Sequence, residues 1–84
     1  MTEINTSAQQ IFVELLDEGT IVYRPVSSAH VRDLVFKIEG KVPEGEAWAF
    51  MPGEIVECKS RQFSGGNIEL IAIRALSSEE MDKL

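Results

Sequence analysis

Apolar side chains recur at every second position in several short stretches of this chain. A period of two is typical of β-strands with one buried face, and these stretches are rich in β-branched and aromatic residues. Residues 27–33 show neither the strand nor the helix period clearly, so we expect a connector or a single helical turn there. The pattern predicts short strands within residues 11–16, 21–26, 34–40, 47–50, 55–63 and 68–76.

Glycine and proline mark the turns between the predicted strands. Gly19 lies in "DEGT" and can adopt a positive φ, which predicts a hairpin between the first two strands. Pro25 has no N–H, so the second strand should be an edge at this residue or bend away from its partner. "MPGE" around Pro52 and Gly53 predicts a sharp turn, and "SGGN" at 64–67 predicts a second hairpin.

Five to six short strands and almost no helix predict a mainly β fold, for which we favour a small antiparallel SH3-like barrel. An OB-type barrel, or an open sheet completed by dimerisation, is the alternative. Ser77 and Glu80 have the spacing of a capping box, which predicts a short C-terminal helical turn. The predicted organisation is an N-terminal tail at 1–10, a barrel domain at 11–76 and a helical turn or tail at 77–84.

Length and charge narrow the function classes. The chain has 84 residues, enough for one domain, and its 14 acidic and 8 basic side chains give a net charge of -6. The basic residues are dispersed, so we expect neither nucleic acid nor an anionic membrane as a partner. Cys58 is the single cysteine, and the first residues lack the pattern of a signal peptide. We therefore expect a cytoplasmic protein without an intramolecular disulfide or a spanning helix.

Two segments carry a resemblance to a known group. "VELLDEGTIVYRPV" at 13–26 and "EAWAFMPGEIVECKSRQFSGG" at 46–66, with the apolar final strand, resemble small uncharacterised bacterial proteins in which an "LLxEGTxVWRPV"-like opening precedes "WxFxPGxxV". The likeness extends over about residues 13–73. Tyr23 stands where the group has a tryptophan, and 27–41 has no counterpart. The resemblance implies a compact bacterial β domain and assigns no functional residue.

No catalytic, cofactor or metal site is predicted. The segment around His30 contains the residue types of a nucleophilic triad in Ser27, Ser28 and Asp33, but no motif predicts the oxyanion hole that such a triad requires. His30 and Cys58 are the single histidine and cysteine, whereas a zinc site usually needs four such ligands. Cys58 shares its predicted strand face with an apolar residue, and a thiol in this position is more often buried than reactive.

The surface is the remaining candidate. The final strand is apolar on both faces, and monomers seldom expose a large apolar patch, so this strand is either covered by the tail or contacts another protein. We expect a non-enzymatic protein–protein interaction module, with self-association as one form. An acidic inhibitor or antitoxin-like decoy of a basic nucleic-acid-handling protein is the alternative, and ligand binding or hydrolysis near His30 is third. The candidate partner-surface residues are Ile71, Ile73, Ala75, Tyr23 and Arg24.

Overall fold

Five β-strands form one closed sheet. The computed structural model describes residues 9–63, 65–77 and 79–80. The strands follow one another around a barrel in chain order. This is the predicted mainly β barrel. The strands are β1 (Gln9–Leu15), β2 (Val22–Arg32), β3 (Val35–Ile38), β4 (Ile55–Gln62) and β5 (Ile68–Ala75).

The strand order is that of a meander closed on itself. Each strand pairs antiparallel with the next, and β5 returns to β1 in a parallel pairing of Phe12 with Ile71. The closing pair is parallel because the first and fifth strands of a meander run in the same direction. The order differs from the Greek-key arrangement of an OB barrel, and the sheet closes within one chain.

Strand β2 pairs with β1 along its first part and with β3 along its second part. It pairs with β1 from Val22 to Ser28 and with β3 from Ser28 to Arg32. Pro25 lies in the part that pairs only with β1, so its missing N–H leaves no gap in a second ladder, as the edge prediction required. The predicted connector at 27–33 is wrong, because most of it belongs to β2. Outward and buried side chains alternate in the first part of this segment, but they are small or polar, so no hydrophobic period of two is visible in the sequence.

The predicted strand at 47–50 is also wrong. This segment forms a single bridge, between Trp48 and Leu15. Two backbone hydrogen bonds flank the bridge: Leu16 N–H donates to Ala47 O at 2.7 Å, and Ala49 N–H donates to the carbonyl of Glu14 at 2.9 Å. The segment therefore extends the β1 ladder by one pair and places the Trp48 ring in the core, where it is 5% exposed.

The predicted turns are confirmed. Glu54 N–H donates to Met51 O at 3.1 Å, and Gly53 has a φ of 94°, as a turn with proline then glycine at its centre requires. Between β4 and β5, Phe63 N–H donates to Asn67 O at 2.8 Å. A further tight hairpin that the pattern did not predict joins β2 to β3 through Asp33, whose φ is 45°.

The barrel interior is small and apolar. Ser28 is the buried polar residue among those described, and its hydroxyl donates to Gln9 O at 2.9 Å. Cys58 is 2% exposed, in agreement with the predicted buried thiol. The core cluster consists of Ile11, Val13, Leu15, Val26, Phe36, Ile38, Trp48, Val56, Cys58 and Ala72.

The first strand begins earlier than predicted, whereas the capping box predicted near the end of the domain is present. At the start, β1 begins at Gln9, two residues before the predicted domain boundary, and residues 1–8 of the predicted tail lie outside the described residues. At the end, the capping box is confirmed, because Ser77 N–H donates to Glu80 Oε1 at 2.9 Å and Glu80 N–H donates to Ser77 Oγ at 3.2 Å. Residues 78 and 81–84 of the predicted turn lie outside the described part.

Candidate functional site

The outer face of the barrel next to the β1–β5 pairing carries apolar side chains. Ile11 and Val13 are completely buried inside the barrel, so the intervening Phe12 lies on the outside. Residues paired directly across a ladder share a face, and Phe12 pairs with Ile71, which in turn pairs with Lys59. The same rule places Tyr23 outside, opposite Glu14. Four neighbouring strands therefore contribute side chains to one outer surface.

Three aromatic rings pack together on this surface. The ring centroids of Phe12 and Phe63 are 5.0 Å apart, and Tyr23 meets Phe63 edge to face at 5.8 Å. Both distances lie in the range where aromatic pairs attract each other. Phe63 comes from the β4–β5 turn, whereas Phe12 and Tyr23 come from β1 and β2. We call these three residues the outer aromatic cluster, which is separate from the core inside the barrel.

Arg61 lies over the outer aromatic cluster. Its guanidinium carbon is 5.7 Å from the Tyr23 ring centroid and 6.0 Å from that of Phe63. Arg61 Nη1 also donates a hydrogen bond to Tyr23 Oη at 3.0 Å. The cation–π contacts and the hydrogen bond together hold the guanidinium beside the two rings. One of its five N–H donors is thereby used within the described residues.

A groove of about 390 Å³ opens beside this arginine. We call it the outer groove. Ile71 forms its buried floor with 6% exposure, whereas Ile73 is 47% exposed. Ile73 is the extra residue of a bulge, since Ala72 pairs with Cys58 and the next paired residue is Arg74. The residues that line the outer groove are Tyr23, Lys59, Arg61, Ile71 and Ile73.

The charges at the outer groove differ from those elsewhere on the barrel. Among the described residues, Lys59 and Arg61 form no ion pair, although Glu69 lies opposite Arg61 in the ladder. Arg74, by contrast, contacts Glu57 and Glu80, both at 2.7 Å. The groove therefore presents two cations to solvent on a chain whose net charge is -6.

Three of the five predicted surface residues come together in the groove. Tyr23, Ile71 and Ile73 all line it, and Ile71 is more buried than an exposed contact residue would be. Ala75 is exposed at the end of β5, opposite Val56 in the ladder, and does not line the groove. Sequence reasoning found the β5 residues because a strand that is apolar on both faces is conspicuous.

The fifth predicted residue, Arg24, lies on the opposite face of β2. Its guanidinium forms an ion pair with Glu46, and Trp48 Nε1–H donates to the same carboxylate at 2.9 Å. The Trp48 hydrogen bond, followed by that of Arg24, lowers the pKa of Glu46 below its ordinary value. Arg24 thus belongs to a polar network over the core tryptophan. This network explains its half-buried position, and no contact with another protein is needed to explain it.

Sequence reasoning missed four residues of this surface. Phe12 lies between polar residues on the outward face of β1. An aromatic residue at such a position could have indicated a contact on the outer surface. Phe63 follows the strand pattern at a turn, and nothing local indicates that its ring packs on Phe12. Lys59 and Arg61 alternate with small residues on β4 like ordinary solvated charges. Their neighbours come from β2 and β5, so their role depends on how the barrel closes.

Two of the residues that suggested catalysis, Ser28 and His30, make other contacts. The Ser28 hydroxyl is inside the barrel, whereas His30 Nε2 lies 2.8 Å from the backbone oxygen of Asp33 and the His30 ring packs on Phe36 at 5.0 Å. Burial raises the pKa of Cys58 to about 11, with a smaller contribution from Glu57. Within the described residues, no three potential ligands cluster in a way that could hold a metal ion.

Comparisons with known proteins add no family to this description. Over residues 9–63, 65–77 and 79–80, none of the helices has the length and apolar character that crossing a membrane requires. No family model, curated protein or solved structure matches the chain.

Proposed function

We propose that this chain is a non-enzymatic protein–protein interaction module of a bacterial cytoplasmic protein, and that the outer groove is its contact surface. The observation that carries the proposal is the convergence of Tyr23, Ile71 and Ile73 with an exposed arginine on one outer sheet face. Tyrosine and arginine are enriched at protein interfaces, and they are frequent among the residues that dominate binding energy.

The half-exposed Ile73 is the most informative residue for a test. It is 47% exposed, so an aspartate there should leave the core intact and place a charge in the groove. Ile68 provides a matched control, because it is an isoleucine on the same strand, is 69% exposed and does not line the outer groove. Ile71 is less suitable, because its 6% exposure means that a charge would disturb packing.

The experiment compares wild-type, Ile73→Asp and Ile68→Asp proteins as baits in a bacterial lysate and, separately, by sedimentation of the purified chains. The proposal predicts a stoichiometric protein, or a dimer, that wild type and Ile68→Asp retain and Ile73→Asp loses. Equal unfolding midpoints of the three proteins would establish that the loss is local. If Ile73→Asp retains every partner that wild type retains, the outer groove is not the contact surface.

The acidic decoy remains a weaker candidate. The decoy requires five carboxylates on one face, namely Glu14, Asp17, Glu18, Glu54 and Glu57. Two of them have local partners: Glu57 accepts a hydrogen bond from Arg74, and Glu54 accepts one from the backbone N–H of Met51 at 3.0 Å. The remaining three are Glu14, Asp17 and Glu18. Affinity that falls steeply with salt and is lost when Asp17 and Glu18 are neutralised would favour the decoy over the groove.

A further inference from the structure

We infer that the outer groove binds an acidic, extended peptide segment of its partner, with two carboxylates placed on Lys59 and Arg61 and an apolar side chain placed on Ile71 and Ile73. This inference rests on the proposed function and adds the chemistry of the partner. The two cations lie on the same face of β4, two residues apart, and their Cα atoms are therefore separated by ~7 Å along the strand. Alternate residues of an extended peptide have the same spacing.

Arg61 is prepared for a carboxylate before any partner arrives. Its guanidinium makes cation–π contacts with Tyr23 and Phe63 and donates a hydrogen bond to the tyrosine hydroxyl, so its rotamer is restricted. Binding a carboxylate then costs little side-chain entropy, and the guanidinium fork suits two parallel N–H···O bonds. In the described part of the chain no carboxylate is paired with it. An external carboxylate can take this place.

The apolar floor of the outer groove provides the contact for the apolar side chain of the peptide segment. Ile71 pairs with Lys59 across the ladder, so the isoleucine side chain lies directly beside the cation. Ile73 stands out at the bulge and widens the apolar area along β5. A groove of about 390 Å³ is at the low end of the ~300–1,000 Å³ range of ligand sites, which suits a short peptide segment with one anchoring side chain.

A protein segment fits this surface better than a nucleic acid strand does. Aromatic rings and cations together are also typical of single-strand binding. However, Glu14 lies opposite Tyr23 and Glu69 lies opposite Arg61, so the face has carboxylates beside its cations. A backbone with one phosphate per nucleotide would meet these carboxylates, whereas a peptide can place its two charges on the two cations.

The test is an NMR titration of the isotope-labelled 84-residue chain with three heptapeptides. The acidic probe has glutamate at positions 2 and 4, leucine at position 6 and threonine elsewhere, so that the three recognised side chains lie on one face of an extended peptide. Its two analogues replace each glutamate with glutamine or with lysine. We expect the acidic probe to shift the signals of Tyr23, Arg61, Ile71 and Ile73, and to bind at least about tenfold more tightly than the lysine analogue.

Charge substitutions in the protein complete the design. Lys59→Glu and Arg61→Glu should each weaken binding of the acidic probe about fivefold, because exposed ion pairs contribute at most ~1 kcal/mol. Lys37→Glu and Arg32→Glu are the matched controls, since both residues are exposed on other strands. The Lys59→Glu/Arg61→Glu double variant should prefer the lysine analogue. Lys59→Glu alone leaves the aromatic stacking untouched, so its result does not depend on the folding of the arginine variants.

The outcomes separate the two levels of the proposal. If the glutamine or lysine analogue binds the groove as tightly as the acidic probe, the acidic chemistry is wrong and the contact surface stands. If none of the three peptides shifts a groove signal at millimolar concentration, the acidic segment is rejected, and the Ile73→Asp comparison decides the proposed function separately. Tighter binding of a thymidine oligonucleotide than of the acidic probe would overturn the inference in favour of nucleic acid.

Discussion

Arg61 and Tyr23 are 38 residues apart in the sequence, and their side chains are joined by a hydrogen bond of 3.0 Å. Tyr23 belongs to β2 and Arg61 to β4, and the two strands between them, β1 and β5, form the pairing that closes the barrel. The contact therefore spans the closure on the outside. The pairing that closes the barrel consists of one residue pair, Phe12 with Ile71. The outer aromatic cluster therefore covers the ladder that has the fewest residue pairs.

Loss of the Tyr23 ring should therefore destabilise the barrel, although the residue lies outside the core. We expect Tyr23→Ala to lower the free energy of unfolding by ~1–3 kcal/mol, because the contacts with Phe63 and Arg61 are lost. Tyr23→Phe keeps the ring and removes the hydroxyl, so it should cost less than ~1 kcal/mol. Urea unfolding followed by fluorescence measures both, because Trp48 is the single tryptophan and is buried. Equal losses in the two variants would assign the stabilisation to the hydrogen bond instead.

Cys58 should be almost inert in the folded protein. With its pKa raised to about 11 by burial and by Glu57, roughly one thiol in three thousand is ionised at pH 7.5, and the thiolate is the reactive form. We expect a thiol reagent to label Cys58 over 100-fold more slowly in buffer than in denaturant, because burial also blocks access.

The control for this labelling is a thiol moved two residues along β4. Ser60 is exposed, so a Cys58→Ala/Ser60→Cys variant should react at the rate of a free cysteine. Rapid labelling of native Cys58 would show that the barrel opens locally around β4, and it would contradict the closed packing described above.

The strands that the sequence predicted were those in which the period of two coincides with β-branched or aromatic residues, as in β1, β4 and β5. Turn chemistry was equally informative, because Gly53 and the glycines after Phe63 occupy backbone conformations that other residues avoid. The second half of β2 was missed because Ser27, Ser28 and Ala29 have low strand propensity. Their extended conformation is imposed by pairing with β1 and β3.

The segment at 47–50 shows the opposite error. Trp48 and Phe50 have strong strand propensity, but the segment pairs with β1 at Leu15 alone and forms one bridge. The outer groove could be predicted in part. The apolar excess of β5 is visible in the sequence, whereas the bulge at Ile73 and the approach of Arg61 to Tyr23 depend on register and closure, which no local pattern determines.

The C-terminal turn should respond to acid. Hydrogen bonds from Arg74, and then from the backbone N–H of Ser77, lower the pKa of Glu80 from its ordinary 4.5 to about 2. In the unfolded chain the same carboxyl keeps its ordinary pKa, so the folded state binds fewer protons between these values. The stabilisation from Glu80 is therefore fully present above pH 4.5 and is lost as the pH falls towards 2.

Carboxyl carbon NMR measures this titration residue by residue. We expect Glu80 to titrate near pH 2 in the wild type and closer to 4.5 in Arg74→Gln, because the hydrogen bond that lowers the pKa most is then absent. Glu57 also accepts a hydrogen bond from Arg74, so the variant tests the whole ion-pair cluster. An unchanged Glu80 titration in Arg74→Gln would assign the lowered pKa to the capping box alone.

The turn that leads into β4 should depend on the glycine at its third position. Gly53 has a φ of 94°, and a Cβ added there would meet nothing within 4 Å, so Gly53→Ala introduces backbone strain without a steric clash with neighbours. We expect a loss of ~1–2 kcal/mol in the free energy of unfolding, measured by urea titration with Trp48 fluorescence. Pro52→Ala is the control, because it leaves φ unstrained and should cost under ~1 kcal/mol through the unfolded chain. Gly53 N–H also donates to Ile38 O at 2.8 Å, and alanine keeps that donor. A smaller loss for Gly53→Ala than for Pro52→Ala would mean that the turn can adopt another conformation without disturbing β3 and β4.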